Sequence, residues 1–126
     1  MKDLNHISGQ IVDAAFHIHT KLGPGLLESV YEVILARELE RRGFLVVRQK
    51  PVPIVFEGMR FDEGFRADLV VENAIVVELK SVENLAPVHG KQLLTYLKLL
   101  DLKLGLLVNF GAPTIKEGIQ RVVNNL

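Results

Sequence analysis

The stretch from Asp68 to Lys80, DLVVENAIVVELK, constrains the fold more than any other part of the chain. Two short apolar runs rich in valine and isoleucine flank Glu72-Asn73-Ala74, the pattern of a β-hairpin whose strands enter a core. Downstream, LGLLVNF over 104–110 is a run of the kind buried on both faces. Helical periodicity over 88–100, with Leu93, Leu94, Leu97 and Leu100, separates it from the hairpin. A strand reached through a helical crossover pairs in parallel, so the chain must build a mixed sheet.

The flanking segments extend this plan. Ile7, Ile11, Ala14, Ala15, Ile18 and Leu22 recur at helical spacing over residues 3–22, and Gly23-Pro24-Gly25 ends that helix. A second helix is predicted over 26–42, with Gly43 at its C-terminal cap. Strands follow at 44–49, 53–56, 59–71 and 74–80. Pro51 and Pro53 place the first of them at an edge or interrupt it. Thr114 and Glu117 form a capping box, and Ile119, Val122 and Val123 extend it into an expected last helix. With 126 residues, 48% of them hydrophobic, one domain with one real core is expected over 1–126.

Charge and composition narrow the functional classes. Lys+Arg and Asp+Glu each number 15, so a binder that grips nucleic acid by bulk positive charge is disfavoured. A phosphodiester-processing enzyme that binds weakly and turns over is compatible with neutrality. No apolar run reaches the roughly 20 residues of a membrane span. The first residues lack a secretory apolar core, and there is no cysteine, so a cytoplasmic location is expected.

Three charges interrupt the hairpin where a purely structural one would carry valine. Alternation puts Glu78 and Lys80 on one face with Val76, and Arg66, Asp68 and Val70 on one face of the preceding strand. If the turn is the three residues 72–74, Asp68 lies opposite Glu78. A two-residue turn would shift the pairing by one. Two adjacent carboxylates repel unless water or a cation separates their charges. Hard oxygen ligands of this kind suit Mg²⁺ or Mn²⁺, and Lys80 could orient a water or offset phosphate charge. Taken alone, the same residues also fit an ordinary cross-strand charge cluster.

Two further segments bear on that choice. Glu28 falls in the first turn of the second helix, where the helix dipole favours an acid. Gln92 and Tyr96 stand four apart on one helical face. Histidines contribute no chelating pair: His17 and His19 point about 200° apart on a helix. His6 and His89 have no partner at ligand spacing. Glu38, Glu40, Arg41 and Arg42 read as a solvated helix face.

Gly25-Leu26-Leu27-Glu28-Ser29-Val30-Tyr31 resembles the motif of the GxxExxY proteins, which belong to the PD-(D/E)XK nuclease superfamily. The resemblance continues through Arg66-Ala67-Asp68, Glu78-Leu79-Lys80, Gln92-x-x-x-Tyr96 and Leu107-Val108-Asn109-Phe110-Gly111. It implies an α/β fold of the α+β, mixed-sheet kind. The restriction-endonuclease-like core would be helix, three-stranded antiparallel meander, helix, strand, with extra N- and C-terminal helices. It further implies metal-dependent hydrolysis of nucleic acid, DNA being the expected substrate, through a Mg-activated water. Asp68 and Glu78 would be metal-binding carboxylates, joined by Glu28 and the carbonyl of Leu79. Lys80 would be the catalytic lysine. Gln92 and Tyr96, as in RecB-like nucleases, would position the substrate or the site, with Arg66 beside them. Ala67 replaces the proline of the superfamily's name, a position that carries no ligand. The alternative is a catalytically inactive relative serving as a nucleic-acid or protein binding module. A homo-oligomer is compatible with either reading.

Overall fold

The computed structural model describes residues 3–126. Helix α1 spans Leu4–Leu22 and α2 spans Glu28–Arg41. A meander follows, of β1 (Val46–Phe56), β2 (Met59–Val71) and β3 (Ile75–Lys80). Helix α3 (Pro87–Leu100) crosses to β4 (Leu104–Asn109), after which come the short α4 (Ile115–Gly118) and β5 (Ile119–Val123). The five strands form one sheet in the order β1-β2-β3-β4-β5. Only β3 and β4 run parallel; their register sets Ile75 beside Leu104 and Lys80 beside Asn109.

Helices cover both faces of the sheet, which explains the unbroken apolar runs of β3 and β4. On one face Leu69, Val71, Ile75, Val77, Leu79, Leu104, Leu106 and Val108 pack with buried residues of α1 and α2. On the other, Val70, Val76 and Leu107 pack beneath Leu93 and Leu97 of α3. Gly105 permits that approach, because a Cβ there would press into the Leu93 side chain.

Strand β1 lies at the sheet edge, and its register shifts between Val52 and Ile54, at Pro53. A residue with no amide donor is thus placed where the ladder is irregular.

The C-terminal expectation needs correction. Thr114 does cap a helix, its Oγ1 accepting from the Glu117 N–H at 3.3 Å, but that helix ends at Gly118. Ile119–Val123 instead form an edge strand antiparallel to β4. Five residues, IQRVV, are too few for their spacing to distinguish helix from strand. Pairing along β4 and β-branched composition decide for the sheet. Ile119 and Val122 pack against opposite faces, as strand alternation requires.

The acidic and basic cluster at the end of α2 is also more than a solvated face. Glu38 accepts from Arg41 and Arg42, and Arg42 reaches Asp13 and Gln10 on α1. This ties the two helices together at one end.

Candidate active site at the end of the β2–β3 hairpin

The register Val71↔Ile75, Val70↔Val76, Leu69↔Val77 leaves three residues in the turn. Glu72 and Asn73 adopt left-handed conformations there, with φ of 55° and 51°. The regular ladder stops at Leu69 and Val77, and the next opposed residues are Asp68 and Glu78. Here side chains replace the ladder. The Asp68 N–H donates to Glu78 Oε1 at 3.3 Å, and the Leu79 N–H donates to Asp68 Oδ2 at 2.9 Å. Each carboxylate is therefore anchored by an amide of the opposite strand.

The pair is electrostatically costly. Glu78 is only 7% exposed, and its carboxyl is pushed up to about 9. Burial is the main cause, with the Asp68 charge and a hydrogen bond to its side chain adding, and the Asp68 backbone N–H and Lys80 opposing. Burial also raises the Tyr96 phenol, and the Glu78 and Asp68 charges add to that shift, which places Tyr96 within their field. Tyr96 is held by stacking on Phe65, with ring centroids 3.8 Å apart and planes 8° from parallel. The strain of a buried carboxylate facing a half-buried one is relieved either by a proton or by a divalent cation. As an oxygen-only donor set the pair fits Mg²⁺ or Mn²⁺.

Lys80 is half-buried at the end of β3, and its position is fixed by the end of β4. Phe110 N–H donates to Lys80 O at 2.8 Å. Asn109 Oδ1 accepts from both Val82 N–H and Gly111 N–H at 3.0 Å. Gly111 approaches so closely that a Cβ would overlap the Val82 backbone.

The remaining predicted residues are placed less tightly. Glu28 is the exposed first residue of α2. Its loop is brought beside the end of β3 by Ser81, whose Oγ donates to Leu26 O at 2.7 Å. Tyr31 Oη donates to Gly23 O at 2.5 Å and accepts from Leu26 N–H, pinning the same loop, while its ring stacks on Phe110. Among the described residues no three acidic or histidine side chains form a ready metal cluster, so Asp68 and Glu78 stand as a pair. Gln92 is exposed on α3. Arg66 is exposed and paired with Glu63. Ala67 packs beneath α3 with Val70 and Val76, while Leu69 packs on the other face, so alternation along β2 is interrupted at Asp68.

Sequence reasoning missed three residues beside the pair. Glu32 is buried, 5% exposed, and accepts from Arg48 and, at 2.6 Å, from Gln49 Nε2. Gln49 Nε2 also faces Asp68 Oδ1 at 3.4 Å. The spacing of Glu28 and Glu32, four apart on one helical face, was the available signal for Glu32. Arg48 and Gln49 had none.

A mixed sheet with a β3–α3–β4 crossover, carrying two acids and a lysine at the end of its meander, is a restriction-endonuclease-like arrangement. The chain belongs to the PD-(D/E)XK nuclease superfamily, whose family model matches residues 5–122. Members of that superfamily generally use divalent metal ions. Comparison with curated proteins and with solved structures gave no significant match.

Proposed function

We propose that this protein is a Mg²⁺-dependent nuclease of the GxxExxY type, hydrolysing phosphodiester bonds of nucleic acid, with DNA as the expected substrate. The observation that carries the reading is the Asp68–Glu78 pair, half-buried and buried respectively, beside Lys80 in a chain of this superfamily. Asp68 and Glu78 would hold the ion, with Glu28 and the Leu79 carbonyl as further ligands. The Glu28 side chain has no hydrogen bond or ion pair among the described residues and opens α2 directly after a loop tied to Ser81, so it is free to turn toward the pair. The ion, when bound, supplies Lewis acidity toward a phosphoryl oxygen and lowers the pKa of water.

The chain's own groups supply the rest. Lys80 orients the attacking water and offsets charge on the phosphate. Water adds to phosphorus and the P–O bond to the leaving sugar oxygen breaks, giving a phosphomonoester and a free hydroxyl. Gln92 and Tyr96 position the nucleic acid from α3, and Arg66, once released from Glu63, is available to a neighbouring phosphate. Neutral net charge favours weak binding and turnover over tight retention.

Purified protein incubated with single- and double-stranded DNA and RNA tests this. Cleavage should require Mg²⁺ or Mn²⁺, stop with chelator, and fall at least about 100-fold in Lys80→Ala and Asp68→Ala, on the scale of lost transition-state electrostatics. Cleavage unchanged in both variants would belong to a contaminant. A second reading, a non-catalytic binding module, is favoured by Glu28 standing apart from the pair. It predicts no cleavage and no thermal stabilisation by Mg²⁺.

A further inference from the structure

The strand opposite Asp68 carries a distortion that the fold does not need. In β1 the residues on either side of Gln49 pair regularly, Arg48 with Leu69 and Lys50 with Ala67, but Gln49 itself is left out of the ladder. Its φ is +52°, in the left-handed region that residues with a side chain rarely adopt. Neither Gln49 nor its neighbours Arg48 and Lys50 is a glycine or proline, and Glu57-Gly58, where the strand turns, lies further on. The result is that the Gln49 amide is placed between two carboxylates, 2.6 Å from Glu32 Oε1 and 3.4 Å from Asp68 Oδ1. Glu32 is fixed in turn by Arg48, whose guanidinium lies 3.0 Å from Glu32 Oε2. A chain of charge and hydrogen bonds therefore runs Arg48, Glu32, Gln49, Asp68, from half-exposed guanidinium to site carboxylate.

We propose that Gln49 is a positioning residue of the metal site, with Glu32 as its anchor. Leu79 N–H holds one oxygen of Asp68 from the β3 side, and the Gln49 amide restrains the other from the β1 side. The carboxylate is thereby kept turned toward Glu78 rather than free to rotate into solvent. An amide suits this task better than a lysine or arginine. It donates a proton without adding a cation that would compete with the metal for Asp68. Glu32 takes the second N–H of the same amide and fixes which way Gln49 points. At 3.4 Å the Gln49–Asp68 contact is the looser of the two that the amide makes. The inference rests on the reading of Asp68 and Glu78 as metal ligands.

Gln49→Gly is the informative variant, because glycine adopts φ +52° without strain while the whole side chain, amide included, is removed. Mn²⁺ affinity is measured by electron paramagnetic resonance at fixed pH and at a temperature where circular dichroism shows each variant fully folded. Wild-type protein should bind Mn²⁺, and Gln49→Gly should bind it about 10–100-fold more weakly, as when an outer-shell partner of a metal ligand is lost. Glu32→Ala should weaken binding in the same direction and add little in the Gln49→Gly background, since the two act as one unit. Ile11→Val, a core change on α1, should leave the affinity unchanged. Wild-type affinity in Gln49→Gly overturns this proposal and leaves the metal-site reading intact. Equal weakening in Ile11→Val would reduce Gln49 to a stability effect and overturns it as well. Failure of wild-type protein to bind Mn²⁺ overturns the metal-site reading and this one together.

Discussion

Glu78 shows what the site costs the protein in its metal-free form. Its carboxyl sits at about 9 against an ordinary 4.5, so between those values the folded chain keeps a proton that the unfolded chain releases. Stability is therefore undiminished below about 4.5 and is lost as the pH rises towards 9, at up to about 1.4 kcal/mol per pH unit. Chemical denaturation of metal-free protein between pH 5 and pH 9 should show this decline. In Glu78→Gln, which carries no ionisable group there, the decline should be largely removed. An equally steep loss in the variant would assign it to other groups. At the same scale, the acids and the lysine of the hairpin were legible because charge is conspicuous within a valine-rich strand. Which turn joins the strands was not, since two- and three-residue turns are both compatible with Glu72-Asn73-Ala74. Two consecutive left-handed residues, Glu72 and Asn73, decide it.

At the scale of elements, the motif residues lock together three segments that meet at the site. Tyr31 of α2 stacks on Phe110, centroids 4.2 Å apart, and fastens the loop that leads to Glu28. Asn109 and Gly111 fasten the residues that follow Lys80. The backbone of Gly111 lies against Val82, and a methyl group there has no space. Gly111→Ala should cost about 1–3 kcal/mol, the usual penalty of overpacking, or more if the backbone must move. It should also lower activity beyond the loss of folded protein, because Lys80 moves with Val82. Denaturant titration and specific activity per folded molecule check the two effects, and wild-type values of both would contradict this role. Helices α1 to α3 and strands β2 to β4 were readable from periodicity and turn residues, while the strands expected at 44–49 and 53–56 are one continuous β1, its prolines tolerated at the sheet edge. Strand β5 was not readable, because its five residues owe their conformation to pairing with β4. Gln49 was likewise invisible: its conformation and both partners are tertiary, and a glutamine in a strand carries no local signal.

For the whole molecule, the two faces of the sheet carry cores of different size. One face, with α1 and α2, holds the larger cluster of fully buried side chains, while the other, under α3, is smaller and opens beside Tyr96 and Gln92. The apolar groove between α1 and α2 contains none of the proposed catalytic or metal-binding residues. No helix among the described residues is long and apolar enough to cross a membrane. Superfamily membership and fold are thus joined to a particular pair of carboxylates, and the central claim is that this pair binds a divalent ion. Anomalous diffraction from crystals soaked in Mn²⁺ addresses it most directly. The account predicts a single strong peak between Asp68 and Glu78, with the Glu28 carboxylate turned toward it. A saturating soak that leaves this position empty, or a peak at other residues, would contradict the account.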